Sequence, residues 1–99
     1  MIIVSVKYKA LPGKRVEILE FAKEAVRLTR QEKGNQEYTV YPSLEDENAI
    51  FVYEEWESLD DLKAHIQAPH MTQFASQRKP LVLEGSYQLN LYEGHAISL

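Results

Sequence analysis

Apolar and polar positions alternate from the start of the chain. Ile2, Val4, Val6 and Tyr8 are separated by Ile3, Ser5 and Lys7, the period-two pattern of a strand with one well-buried face. After Leu11, Pro12 and Gly13 the period changes. Between Lys14 and Lys33, Ile18, Leu19, Phe21, Ala22, Ala25, Val26 and Leu28 fall at helical spacing, Glu20, Lys23, Glu24 and Arg27 alternate in sign on a solvated face, and Gly34 supplies a stop. A long amphipathic helix is predicted here. Glu37 to Tyr41, rich in β-branched and aromatic residues, reads as a second strand closed by Pro42 and the polar run Ser43 to Asn48. In the third strand, Ala49 to Trp56, both alternating sets are apolar: Ile50, Val52 and Trp56 on one side, Phe51 and Tyr53 on the other. That pattern predicts cover on both faces.

Ser58, with Asp61 three residues on, resembles a capping box, and Leu59, Leu62 and Ile66 supply an inward stripe for a short second helix. Pro69 suits a helix first turn, so Pro69, His70 and Met71 open a third, abutting helix that carries Phe74 and Ala75 inward and ends near Pro80. Tyr87, Leu89 and Leu91 alternate as a last strand, followed by a tail from His95 to Leu99. Strand, helix, strand, strand, helix pair, strand is the order of a ferredoxin-like split β-α-β domain, an α+β fold with a four-stranded antiparallel sheet, here a single domain over residues 1–99. Helices cover one face of such a sheet. Ile3, Phe51 and Tyr53 on the other face would form a large apolar patch on a monomer, which predicts a homodimer packed sheet to sheet.

A formal net charge of −4 argues against a general phosphate-binding surface, so nucleic acid is not an expected partner. The absence of cysteine removes disulfides, thiolate metal sites and thiol nucleophiles. No apolar stretch is long enough for a membrane span or a signal core, so neither a membrane partner nor export is expected and the expected location is the cytoplasm. Glycine-rich phosphate, flavin and nicotinamide fingerprints are missing, as is a Gly-flanked serine elbow.

Three histidines remain as candidate chemistry. His65 lies beside Leu62 and Ile66 on the inward side of the second helix, where an imidazole facing a cavity can act as a base and one sealed in the core is structural. His70 follows at a spacing of five with Pro69 between. Helical metal pairs use three or four, and no Asp or Glu has an obvious third-ligand register, so no metal site is expected. His95 has no supporting context. Trp56, Tyr8, Phe74 and Met71 are placed to wall a space between sheet and helices, and Glu54, on the same strand face as Trp56, can orient a histidine or move a proton.

The segments Glu54-Glu55-Trp56-Glu57-Ser58-Leu59, Ala64-His65-Ile66 and Pro69-His70-Met71 resemble the antibiotic biosynthesis monooxygenase (ABM) family, within it the quinol monooxygenase branch. The resemblance extends over nearly the whole chain, including Pro12-Gly13 and Glu32-Lys33-Gly34. It implies a ferredoxin-like homodimer forming an α+β barrel, and oxygenation of small quinols or polyketide anthrones by O2 without flavin, metal or nicotinamide. His65 would be the catalytic base, Trp56, Phe74, Met71 and Tyr8 the substrate-binding walls, and His70 or Glu54 a polar partner.

The same family contains haem-degrading enzymes and isomerases. The haem-degrading branch places Asn, Trp and a ligating His where this chain has Val6, His65 and Ala75, which disfavours haem degradation. The anthrone oxygenases also favour Asn at Val6. The leading expectation is therefore a cofactor-independent monooxygenase of a quinol-like aromatic. Its alternatives are an isomerase that uses His65 and His70 on a phosphorylated ketone, with Lys7, Lys9 and Arg78 as its phosphate candidates, and a non-enzymatic dimeric ligand-binding module.

Overall fold

Alternation in the first strand sets the layers. In a computed structural model describing residues 1–99, the chain runs β1 (Ile2–Lys9), α1 (Arg15–Thr29), β2 (Asn35–Pro42), β3 (Ala49–Trp56), α2 (Leu59–Gln67), α3 (Pro69–Arg78) and β4 (Gln88–Glu93), with a 3₁₀ turn at Lys79–Leu81. The four strands form one antiparallel sheet in the order β2-β3-β1-β4. This is the ferredoxin-like α+β arrangement that the element order predicts.

Residues opposite each other on antiparallel strands share a face, so the register defines rungs. One rung is Tyr38, Glu54, Val4 and Leu91; the next is Val40, Val52, Val6 and Leu89. Both face the helices. Ile2, Val4, Val6, Tyr8, Ile50, Val52 and Trp56 from this face are buried against Ile18, Ala22 and Ala25 of α1, Leu62 of α2 and Phe74 of α3. The other face carries Ile3, Phe51 and Tyr53, half-buried in the single chain.

Three expectations are corrected. First, α1 stops at Thr29 rather than running to Lys33, because Gln31 and Glu32 donate to the carbonyls three residues back and tighten the chain out of the helix. Gly34 then takes φ +80°, a left-handed conformation that favours glycine, and its site faces Asp61 so closely that even the Asp61 Cβ would be 2.8 Å from an added methyl group. Second, the buried stripe of α2 is Leu62 and His65, whereas Leu59 and Ile66 are exposed. The inward position that apolar periodicity gives to Ile66 is taken by an imidazole whose Nδ1 has a carboxylate partner in Glu32. Third, Ala75 is exposed on α3, which buries Phe74 alone. Elsewhere the helix signals hold: Ser58 Oγ accepts from the Asp61 N–H, and Pro69 occupies the first turn of α3.

Candidate active site

A cavity of about 240 Å³ lies between the sheet and helices α2 and α3. Its floor is the two rungs described above without Val40, which lies under α1, and its walls include Leu62, His65, Met71, Arg78 and Tyr87. Above β4 no helix is laid down, so Tyr87, Leu89 and Leu91 stay about half exposed and mark the open side. The lining is aliphatic and aromatic with a few convergent polar groups, the usual constitution of a small-molecule site.

The polar groups centre on His65, which is only 4% exposed. The tightened turn after α1 swings Glu32 back over the α2 helix, and its Oε2 lies 2.6 Å from His65 Nδ1. Burial, with His70 adding a second push, lowers the His65 pKa to about 4, so the ring rests neutral near pH 7. The short contact is therefore an Nδ1–H donated to the Glu32 carboxylate. That assignment leaves Nε2 as a bare acceptor, 3.9 Å from Glu54 Oε1. Glu32 is itself shifted upward by burial, with the His70 charge opposing.

Glu54 is 5% exposed on the cavity floor and accepts a 2.9 Å bond from the Trp56 indole N–H. Burial pushes it up to about 7; the indole bond and Arg78 pull down, and Glu32 pushes further up. A carboxyl poised at the working pH beside a neutral imidazole is an arrangement that can accept and return a proton. Tyr38 completes this end of the cavity with its ring 5.5 Å from His65, and burial raises its phenol well above the ordinary range, so it stays protonated.

Of the residues that the sequence singles out, the fold brings His65, Glu54 and Met71 to the cavity. The other four stand behind it. Trp56 is fully buried with its ring 4.7 Å from His65, supporting the imidazole from below. Phe74 is sealed in the core, and Tyr8 is buried under Arg78 and Tyr87. His70 lies on the far side of Glu32, its Nε2 3.2 Å from Glu32 Oε1 and 3.3 Å from Thr29 Oγ1. Trp56, Phe74 and Tyr8, expected as walls, instead fill the layer between sheet and helices, and the cavity wall is left to Leu62, Met71, Arg78 and Tyr87.

Three site residues escape the sequence reading: Glu32, Tyr38 and Arg78 as a cavity residue. Tyr38 had a signal in the alternation of Tyr38 with Val40. Glu32 had none, since its reach depends on where α1 ends. Its position also overturns the expectation that no acidic residue stands in third-ligand register, for donor atoms of Glu32, His65 and His70 lie within 4.8 Å of one another. Ligand atoms around tetrahedral zinc at 2.0–2.1 Å stand about 3.3 Å apart. At 2.6 Å the Glu32–His65 pair is spaced for a shared proton instead.

Fold and site together define a class: a ferredoxin-like domain whose helix layer encloses an apolar cavity with a carboxylate–histidine pair at one end. The sequence places it further. Residues 1–77 match the family model described as antibiotic biosynthesis monooxygenase, and the chain belongs to that family. It is 30% identical over 82 residues to the Bacillus subtilis (strain 168) protein named "Putative monooxygenase YcnE", covering 83% of this chain and 86% of that one. Among solved structures, a "putative antibiotic biosynthesis monooxygenase" from Deinococcus radiodurans aligns with TM-score 0.89 at 26% identity, over 100% of this chain and 98% of that one. A conserved protein from Methanosarcina mazei Go1 aligns with TM-score 0.87 at 26% identity, over 95% and 92% of the two chains.

Proposed function

We propose that the protein is a cofactor-independent monooxygenase that oxidises a small quinol-like aromatic with O2. The observation that carries this reading is a buried neutral imidazole, His65, with Nδ1–H held by Glu32 at 2.6 Å and Nε2 free at the end of an apolar cavity. Transfer of a quinol hydroxyl proton to Nε2 leaves an electron-rich anion. That anion gives one electron to O2, and the resulting radical pair closes a carbon–oxygen bond to give a ring peroxide anion, which takes the proton back from His65 and becomes the hydroperoxide. Transfer of the proton on that carbon to the neutral His65, as the O–O bond breaks, leaves a ring carbonyl and hydroxide, which takes that second proton from the imidazolium and departs as water. One oxygen atom enters the product and the other becomes water, so the substrate itself supplies every electron.

The protein's part is a base, orientation and an apolar enclosure. Glu32 offsets the imidazolium charge while it lasts. Glu54 relays the proton within the cavity. The isomerase alternative draws support from Arg78 as a cavity cation, but it needs two histidines at the substrate and His70 stands behind Glu32. The test is oxygen consumption by protein dialysed against EDTA, over a panel of naphthohydroquinones and anthrones. Uptake with equimolar oxygenated product supports the reading. Absence of uptake across the panel would remove it.

We also propose that two copies pair through their open sheet faces. The register puts Ile3 and Tyr92 on one rung with Glu37 and Glu55, Tyr53 on the next with Thr39, Ser5 and Asn90, and Phe51 on a third with Tyr41 and Lys7, so the apolar side chains span the face between an acidic end and a basic one. A two-fold axis through the centre sets the basic end of one copy on the acidic end of the next. Wild-type protein is expected to sediment as a dimer and Lys7→Glu to shift toward monomer at high dilution. Sedimentation of the wild type as a monomer would sink the pairing.

A further inference from the structure

Arg78, at the end of α3, lines the same cavity as His65 and Glu54, yet neither Glu54 nor Glu32 makes an ion pair with it. Its guanidinium carbon instead lies 4.8 Å from the centre of the Phe74 ring, 5.1 Å from Tyr8 and 5.6 Å from Tyr87. Three rings pack around the guanidinium and strip part of its water without neutralising its charge. The ordinary fate of a half-buried arginine is a bidentate carboxylate, and here that partner is missing. The ion pairs that arginine and lysine do make in the chain lie on the surface, Lys9 with Asp46 and Arg27 with Glu24 among them.

The position of this cation relative to the acid–base group follows from the strand register. Glu54 pairs with Val4, whereas Arg78 packs on the ring of Tyr8, whose place on β1 is four residues further along, close enough for its charge still to draw the Glu54 carboxyl down. Between them the floor is Val6 and Val52. The cavity is thus bipolar: a proton-transfer end, an apolar middle, and a preorganised cation.

We infer that Arg78 is a specificity-determining residue that binds a carboxylate substituent on the aromatic substrate, directing the opposite, hydroxyl-bearing ring edge to His65. The inference rests on the reading of this cavity as the substrate site, and narrows its occupant to an aromatic quinol acid. A carboxylate fits better than a phosphate. A planar fork matches a planar monoanion with two parallel hydrogen bonds, no second cation lines the cavity to meet a dianion, and Lys7, a phosphate candidate from sequence, faces the opposite side of the sheet.

Binding can be read without turnover by calorimetric titration with a matched pair of probes, hydroxynaphthoate and naphthol, at low ionic strength. Wild-type protein is expected to bind hydroxynaphthoate at least about tenfold more tightly than naphthol. Arg78→Met, which keeps the length packed among the rings, is expected to bring the two affinities within about twofold, the larger loss falling on hydroxynaphthoate; Arg78→Lys should retain part of the preference. Equal affinities in the wild type, failure of both probes to bind, or a preference that survives in Arg78→Met overturns the inference. The two readings fail separately. Discrimination without oxygen uptake on any quinol removes the oxygenase and leaves the anion site, whereas uptake on neutral quinols with equal probe affinities does the reverse.

Discussion

Replacing His65 with Ala is expected to lower quinol-dependent oxygen consumption by about 10²–10⁴-fold, the usual contribution of a positioned general base. Because His65 is buried, the change also opens a hole beside Trp56 and strands Glu32 without a partner, so His65→Asn, which retains a polar group near Glu32, is the companion variant. Both should be inactive while the second keeps the fold by circular dichroism. Full activity in either would show that another group takes the proton. Glu32→Gln separates positioning from chemistry: it keeps a hydrogen-bond acceptor for Nδ1–H but cannot offset the imidazolium, so kcat falls while KM holds. The same variant removes a charge that pushes Glu54 upward, and the Glu54 limb of the pH–rate profile should move to lower pH from its position near 7.

These shifts carry opposite stability signs. His65 is held at about 4 against an ordinary value of 6.5, so its contribution is intact above about pH 6.5 and is lost as pH falls toward 4. Glu54 is raised to about 7 from 4.5, so its contribution is present at acid pH and is lost as pH rises through 7.

The second large effect is on folding. Trp56 is fully buried at the junction of β3 and α2, and Trp56→Ala is expected to cost about 3–5 kcal/mol, the range for deleting a large aromatic side chain from a core. Chemical denaturation with a midpoint within error of wild type would contradict that burial. Trp56→Phe retains most of the apolar volume and removes only the indole N–H that bonds Glu54 at 2.9 Å. Loss of this donor takes away the first of the influences that hold Glu54 down, so its limb of the pH–rate profile should rise above 7, opposite to Glu32→Gln. Oppositely directed shifts from two residues on either side of one carboxyl are a signature that a general loss of stability does not produce.

Strand alternation at Ile2 to Tyr8, the Ser58–Asp61 cap and Pro69 at a helix start are local signals, and each places its element within a residue or two. They suffice for the fold because antiparallel pairing and one buried face leave few ways to assemble four such strands and three such helices. The family resemblance was legible for the same reason: it resides in contiguous segments around Trp56, His65 and His70. Local reading also put His65 and Glu54 inward, since period 2 and period 3.6 are enough to assign a face.

The partners of those two residues were decided elsewhere. Glu32 reaches His65 across 33 positions because α1 ends one turn early, and that ending depends on the Gly34 turn and on Thr29 being fully buried. Tyr8, Phe74 and Trp56 read from sequence as walls became core, because the sheet-to-helix layer must be filled before any space is left over. Arg78 became a cavity cation through three rings drawn from β1, α3 and the approach to β4. Sequence by itself determined the elements, the family and the inward face of the sheet, all set by neighbours along the chain. Tertiary structure alone decided the ionic state of His65 and Glu54 and the two ends of the cavity, because burial and charge act through space among residues that the chain keeps far apart.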